Sequence, residues 1–178
     1  EAFDKVARMI GLTYPGGPKI GKLAAKHREK QPLIEASDFP LPRPMLHSND
    51  YDFSFSGIKT AVLYTIKKIS DITEDQKQSI AREFEDSVSE VLLHKTLRAI
   101  DEYGAKSLII GGGVIASPFL RKEFTEAIEN IEYTKLYIPD KELATDNAIM
   151  IAIAGYRQYQ NQGFDDPKTL SANSNLSL

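Results

Sequence analysis

The sequence has no cysteine among its 178 residues. This absence excludes a disulfide framework, a thiolate metal site and a cysteine nucleophile, and it suits a reducing cytoplasm. The GxSxG motif of serine hydrolases and the HExxH motif of zinc peptidases are also missing. Nothing in the sequence therefore supports peptidase chemistry.

Long apolar runs are equally absent. The longest apolar stretch, from Ala148 to Gly155, is far shorter than the roughly 18 residues that a membrane-spanning helix needs. No signal peptide is visible. We therefore expect a cytoplasmic protein with no membrane contact.

The chain also lacks an excess of positive charge. It contains 22 Lys and Arg residues and 25 Asp and Glu residues, which gives a net charge of −3. Any contact with RNA must therefore come from a local patch rather than from the whole chain. Lys59, Lys67 and Lys68 form one basic helical edge, although such an edge is usually a solvated face.

Hydrophobic spacing predicts mainly helices, joined by turns and a few short strands. The predicted helices cover residues 2–10, 18–27, 56–69, 74–103, 118–128 and 145–159. The predicted strands cover residues 51–55, 107–110 and 135–139, and residues 29–50 form a long irregular connection. Strands alternate with helices in the second half, which indicates an α/β fold with parallel strands.

The first residue is Glu1 rather than methionine, and Phe3, Val6 and Ile10 already recur at helical spacing. We interpret the sequence as a truncated piece that begins at the edge of a helix. We expect the missing upstream part to leave an exposed apolar patch.

Asp4 and Gly17 form the first candidate site. Asp4 can accept hydrogen bonds from ligand hydroxyls, and Gly17 would let a ligand lie against the backbone. The alternative is purely structural, since a carboxylate in the first turn of a helix is favoured by the helix dipole and glycines make turns. Local sequence alone leaves both interpretations open.

A run of three glycines, Gly111, Gly112 and Gly113, follows a predicted strand and precedes a helix. Without side chains, the backbone N–H groups of such a loop can approach an anion. The loop is neither a Walker A motif nor GxGxxG, so a tight strand-to-helix turn explains it equally well.

Residues 145–148 open the last predicted helix, which is very apolar and is expected to be buried. We expect Thr145 or Asp146 to be its N-cap. Asp146 is also a candidate oxygen ligand for a metal beside a phosphate. The histidines at 27, 47 and 94 show no metal-ligand spacing.

Seven short motifs follow one another along residues 1–152: EAFDK, YPGGP, FPLPRPM, FSFSGIKT, AREFE, GGGV and TDNAIMIA. In this order they resemble the TsaD family, formerly named O-sialoglycoprotein endopeptidase. The resemblance covers about residues 1–158, nearly the whole chain, and the FSFSG segment is similar to the bacterial and organellar branch.

The resemblance implies an actin/hexokinase-like ATPase fold, with two α/β lobes around a nucleotide cleft. Residues 1–140 would belong to the C-terminal lobe, residues 141–162 would return to the missing N-terminal lobe, and residues 163–178 would be a polar tail. The implied activity is transfer of the threonylcarbamoyl group from threonylcarbamoyl-AMP to N6 of the adenosine next to the anticodon in tRNA. TsaB-like and TsaE-like proteins are the implied partners.

The resemblance also implies roles for particular residues. Asp4 and Gly17 match adenylate-binding positions, the loop Gly111–Gly113 would lie along the nucleotide, and Asp146 matches a ligand of iron or zinc. Ser117 stands where relatives often have asparagine; it can donate one hydrogen bond but not the paired contact of an amide.

A second departure is Gly21, where some relatives carry an acidic residue. The larger departure is that the HxxxH metal pair and the SGGH loop of the family are missing. We therefore expect the 178-residue chain to hold no iron or zinc and to be inactive alone. Two alternatives remain open at this point: a fragment of a kinase with the same fold, and a non-catalytic interaction domain.

Overall fold

A computed structural model describes residues 1–33, 37–164 and 166–171. Within these residues there are six α-helices: α1 Ala2–Met9, α2 Gly16–Lys30, α3 Ser56–Lys67, α4 Glu74–Tyr103, α5 Pro118–Glu129 and α6 Ala148–Gln162. Two short strands, β1 Ser107–Ile109 and β2 Lys135–Tyr137, flank α5, and two single-turn 3-10 helices cover Gly113–Ala116 and Lys141–Leu143. None of these helices has both the length and the apolar character of a bilayer span.

Helix α4 is the centre of the larger core and packs against α2, while α1 packs on α2 and α3. Phe84 of α4 is fully buried, and its ring meets the Phe3 ring of α1 edge-on at 4.9 Å between centroids. Hydrophobic spacing predicts an inward stripe on α4 that consists of Ile80, Phe84, Val88, Val91, Leu92 and Ile100. All of these residues are buried except Leu92, which is partly buried against the core.

Local signals at both ends of α4 explain its length. Thr73 and Gln76 form a reciprocal capping box at the start, in which each side chain accepts a hydrogen bond from the other's backbone N–H. Gly104 ends the helix in the left-handed conformation, with φ of 58°. The predicted bounds of this helix, residues 74–103, are confirmed.

A smaller core lies beneath the two strands, which pair in parallel with Leu108 opposite Leu136. The parallel pairing confirms the α/β prediction. Leu120 and Phe124 of α5 pack with Ile115 against the inner face of the sheet. Ile109 and Tyr137 stay exposed on the opposite face, as the alternation of side chains along a strand requires.

The predicted strand at residues 51–55 is wrong, because the sheet found among the described residues contains only β1 and β2. Side chains of α4 hold this part of the backbone instead: Lys95 donates to the Asp52 carbonyl, and Arg98 donates to the carbonyl of the preceding Asp50. The alternating aromatic residues that indicated a strand stack on each other, with the Phe53 and Phe55 rings 6.4 Å apart.

The prediction for the last helix is wrong in two respects. Asn147 is its N-cap, since the Asn147 Oδ1 atom accepts a hydrogen bond from the Met150 N–H at 3.0 Å, and neither Thr145 nor Asp146 has that role. The helix is also not buried, because every residue of α6 is accessible to solvent in this chain. Of the predicted tail, residues 165 and 172–178 lie outside the described residues.

Candidate nucleotide site

Asp4 links the first two helices. It lies in the first turn of α1, and its Oδ1 atom accepts a hydrogen bond from the Gly16 N–H at 2.6 Å. Gly16 is the first residue of α2, so this carboxylate satisfies a backbone donor that has no partner within the helix. Asp4 is half-buried, so the residue remains partly accessible to solvent.

Gly16, rather than Gly17, is the glycine that packing requires. A Cβ atom at Gly16 would lie 2.6 Å from the Ala7 Cβ and 2.7 Å from the Asp4 Cα, so any side chain there would collide. At Gly17 the nearest atom to a Cβ is the Phe3 Cβ at 4.0 Å, which is an ordinary contact. The paired glycines of the YPGGP segment are the signal that could have identified Gly16 from sequence.

The glycine loop is exposed and begins two residues after the end of β1. Gly112 has φ of 88°, a conformation that residues with side chains rarely adopt, so glycine is required there. A Cβ atom at Gly111 or Gly113 would meet nothing within 4 Å. The loop therefore has open space around its backbone, which suits the approach of a ligand.

Ser117 closes the loop as the N-cap of α5. Its Oγ atom accepts a hydrogen bond from the Leu120 N–H at 3.4 Å and donates its proton to the Glu85 carboxylate at 3.1 Å. The hydroxyl has one proton, so the donor that the sequence offered to a nucleotide is directed at Glu85 in this structure. A Cβ atom at Gly21 would lie 3.6 Å from the same Glu85 oxygen. The two positions that depart from the family pattern thus adjoin one buried carboxylate, which the sequence interpretation missed.

Asp146 is exposed and lies two residues before the first residue of α6. Because Asn147 caps that helix, the Asp146 carboxylate is not needed for capping and suits one position in a metal's coordination shell. The residues described by the structure contain no group of three His, Asp or Glu side chains placed to hold a metal. They therefore do not make a complete site.

Two of the three histidines lie together, although their sequence spacing gave no sign of this. The His47 and His94 rings meet edge-on with 5.7 Å between centroids. His27 lies apart from them and is buried, and its burial lowers the pKa of the imidazole, with the charge of Arg82 acting in the same direction.

A family model described as TsaD, tRNA N6-adenosine threonylcarbamoyltransferase, matches residues 1–153. The chain belongs to the TsaD family. The resemblance found in the motifs is therefore confirmed, and it covers both the helical core and the small sheet.

Three curated relatives carry the name tRNA N6-adenosine threonylcarbamoyltransferase. The protein of Thermosipho africanus is 45% identical over 178 residues, which cover 100% of this chain and 51% of the relative. The protein of Thermosipho melanesiensis is 46% identical over 178 residues, which cover 100% of this chain and 50% of the relative. The protein of Persephonella marina is 43% identical over 166 residues, which cover 92% of this chain and 44% of the relative. The chain spans about half the length of the curated relatives it matches.

Within this TsaD chain, the predicted site residues fall into two groups. Asp4 and Gly17 belong to the helical core, whereas Gly111–Gly113 and Ser117 border the small sheet. The groups are joined through Glu85 of α4, which contacts Ser117. Asp146 belongs to neither group, since it precedes the exposed helix α6.

Proposed function

We propose that these residues form the C-terminal lobe of a longer TsaD protein, called the full-length protein below. Its reaction transfers the threonylcarbamoyl group from threonylcarbamoyl-AMP to N6 of the adenosine next to the anticodon in tRNA. The observation that carries this proposal is the family match over residues 1–153. The names of the relatives support the choice of reaction.

In this reaction the N6 amine attacks the carbamoyl carbon. The bond from that carbon to the phosphate oxygen of AMP breaks, AMP leaves as the anion, and the amine loses one proton. The protein has to hold the adenylate and the adenine in a reactive orientation and to stabilise the departing phosphate. Neither task requires a protein nucleophile.

The residues of this chain are suited to holding the adenylate. The free Asp4 oxygen accepts hydrogen bonds from hydroxyls of the ribose or the threonyl group, while the other oxygen keeps α2 in place. Gly17 allows the ligand to approach the backbone of α2. The exposed N–H groups of Gly111–Gly113 face the phosphate, since backbone donors in a glycine loop bind anions well.

The actin/hexokinase-like arrangement of two lobes is part of the proposal. Residues 1–140 form one lobe, and α6 within residues 141–162 packs against the other lobe. The exposed apolar side chains of α6 support this packing. A divalent metal, iron or zinc, would polarise and orient the transferred group when bound, with Asp146 as one of its ligands.

Partners of the full-length protein complete the proposal. tRNA is the acceptor, and its negative backbone requires a local basic surface because the chain carries a net charge of −3. The partly exposed edge with Lys67 and Lys68 is the candidate surface on this chain. TsaB-like and TsaE-like proteins are the proposed protein partners.

The role of Asp4 tests the proposal through two substitutions in the full-length protein. Asp4→Asn keeps an oxygen for the Gly16 N–H but removes the charge, whereas Asp4→Ala removes both. We expect each to weaken binding of threonylcarbamoyl-AMP, measured by calorimetry, by about 1–3 kcal/mol, as for loss of a charged hydrogen-bond partner. Asp71→Ala, at an exposed loop position, is the control. Unchanged affinity in both Asp4 variants would overturn the assignment.

A further inference from the structure

Glu85 is a buried carboxylate at the end of the AREFE motif, and the proposed chemistry gives it no role. Only 1% of the residue is exposed. Its Oε2 atom accepts a hydrogen bond from the Arg28 guanidinium of α2 at 2.6 Å, and Arg28 also pairs with Asp86. Burying a charge is costly unless it is paired and hydrogen-bonded, so the position of Glu85 depends on Arg28.

The same pair holds the beginning of α5. The Oε1 atom of Glu85 accepts the hydrogen bond from the Ser117 hydroxyl at 3.1 Å. The Arg28 guanidinium carbon lies 3.5 Å from the centroid of the Phe119 ring, close enough for a cation–π contact. Ser117 and Phe119, at the start of α5, therefore both contact the ion pair that Arg28 of α2 forms with Glu85 of α4.

We propose that Glu85 is a positioning residue for the nucleotide site, a proposal that rests on the function proposed above. Through Arg28 it is tied to α2, the helix that carries Gly17, and through Ser117 to the end of the glycine loop. Gly113 begins a 3-10 turn that ends at Ala116, directly before Ser117, so holding Ser117 restricts where the loop can lie. Glu85 therefore sets the distance between the two groups of adenylate-binding residues.

Glu83 offers a matched control on the same helix. It is 7% exposed, pairs with Arg43 and accepts a hydrogen bond from the Leu41 N–H at 3.0 Å. Its chemistry closely parallels that of Glu85, but it holds the segment around Leu41 rather than α5. Glu85→Gln and Glu83→Gln therefore remove the same charge from similar environments, and only the first affects the contact with Ser117.

The experiment compares Glu85→Gln with Glu83→Gln in the full-length protein. We expect Glu85→Gln to speed amide hydrogen exchange in residues 111–120 and to raise the KM for threonylcarbamoyl-AMP at least fivefold, with kcat changed less than twofold. We expect Glu83→Gln to speed exchange around residue 41 and to leave the KM unchanged. Equal KM values in the two variants, or unchanged exchange in residues 111–120 of Glu85→Gln, would overturn the proposal.

A second variant covers the case in which Glu85→Gln does not fold. Phe119→Leu removes the ring beneath Arg28 and leaves the candidate ligand-binding residues in place. We expect a smaller change of the same kind, about two- to threefold in KM, since a cation–π contact contributes less than a buried charge pair. No change in either KM or loop exchange would count against the proposal.

The exchange measurement separates this proposal from the proposed function. If the wild-type full-length protein makes no threonylcarbamoyladenosine, the function is wrong. Loop exchange in Glu85→Gln then still shows whether Glu85 holds residues 111–120. If the wild type is active and loop exchange is unaffected, the function stands and the positioning role is lost.

Discussion

Helices α4 and α6 use their apolar side chains in opposite ways. In α4, thirteen of 30 residues are buried, including polar and charged ones. In α6, none of the 15 residues is buried, although the helix begins with the run AIMIAIAG. Ile149, Ile151 and Ile153 are all more than half exposed. Apolar content alone therefore does not determine which helix is buried, because burial requires a neighbouring element.

The exposed residues of α6 lie around the helix rather than along one stripe, since residues two positions apart point in very different directions. The first eight residues of α6 are apolar on every side, which is typical of a helix in the interior of a larger protein. Together with the relatives' twofold greater length, this favours a partner surface outside the described residues. Substitutions made in one helix at a time test whether α4 is buried and α6 is exposed in this chain.

The largest expected effect concerns the metal site proposed at the start of α6. A catalytic site normally takes about three protein ligands, and this chain offers Asp146. We expect metal analysis to find no stoichiometric iron or zinc in the 178-residue chain and one ion per full-length protein. Asp146→Ala in the full-length protein should abolish both the ion and threonylcarbamoyladenosine formation.

Asp140→Ala is the control for that experiment, because Asp140 is also exposed and also precedes a short helix without capping it by its side chain. It should retain both the metal and the activity. One tightly held ion in the 178-residue chain would contradict the prediction, since it would require ligands that the described residues do not bring together.

The next effect compares the two helices directly. Phe84→Ala should destabilise the 178-residue chain by about 3–5 kcal/mol, as expected for an aromatic residue removed from a core. Ile151→Ala should change the free energy of unfolding by less than about 0.5 kcal/mol, as at other exposed positions. Urea denaturation of the three proteins measures both values.

In the full-length protein, the destabilisation by Ile151→Ala should come closer to that by Phe84→Ala. If α6 is covered there, Ile151→Ala should cost about 2–5 kcal/mol. A cost that remains below about 0.5 kcal/mol in the longer protein would show that α6 stays exposed.

A smaller effect distinguishes two glycines. Gly16→Ala should destabilise the chain by about 1–3 kcal/mol, because the added Cβ meets the backbone of Asp4. Gly155→Ala should stabilise it by about 0.5–1 kcal/mol, because alanine is the better helix former and a Cβ there meets nothing within 4 Å. Thermal unfolding of both variants checks the two signs, and destabilisation by Gly155→Ala would indicate that α6 is packed.

The smallest effect is a pH dependence within the packed region. Burial lowers the pKa of His27 from its ordinary 6.5, and Arg82 and Lys30 add to this against the opposing charges of Asp38 and Asp75. The folded state therefore prefers the neutral imidazole. Its contribution to stability is complete above the ordinary pKa and is lost progressively as the pH falls below it.

His27→Gln should thus reduce the loss of stability between about pH 7.5 and pH 5.5. The urea midpoint at each pH measures this loss. An equal loss in the wild type and in His27→Gln would show that burial does not perturb this histidine.

Local signals were sufficient for much of the fold. The bounds of α4 followed from hydrophobic spacing and a terminal glycine, and the two parallel strands followed from short apolar runs that alternate with helices. The segment at residues 51–55 failed because alternation of Phe53 and Phe55 also arises when two rings stack without a sheet. Asn147, rather than its neighbours, became the N-cap because capping depends on backbone conformation and all three residue types are suitable.

Some features of the candidate site could be predicted from the sequence, and others depended on the tertiary structure. Sequence alone identified the family and predicted Asp4 and the glycine loop as site residues, because motif order and residue type are local properties of the chain. Only the tertiary structure placed Gly16 against Asp4 and directed the Ser117 hydroxyl to Glu85. These contacts join residues 12 and 32 positions apart, and such pairings depend on how helices pack rather than on any periodicity along the chain. Burial of α6 likewise requires a neighbouring surface, which no pattern within the helix can supply.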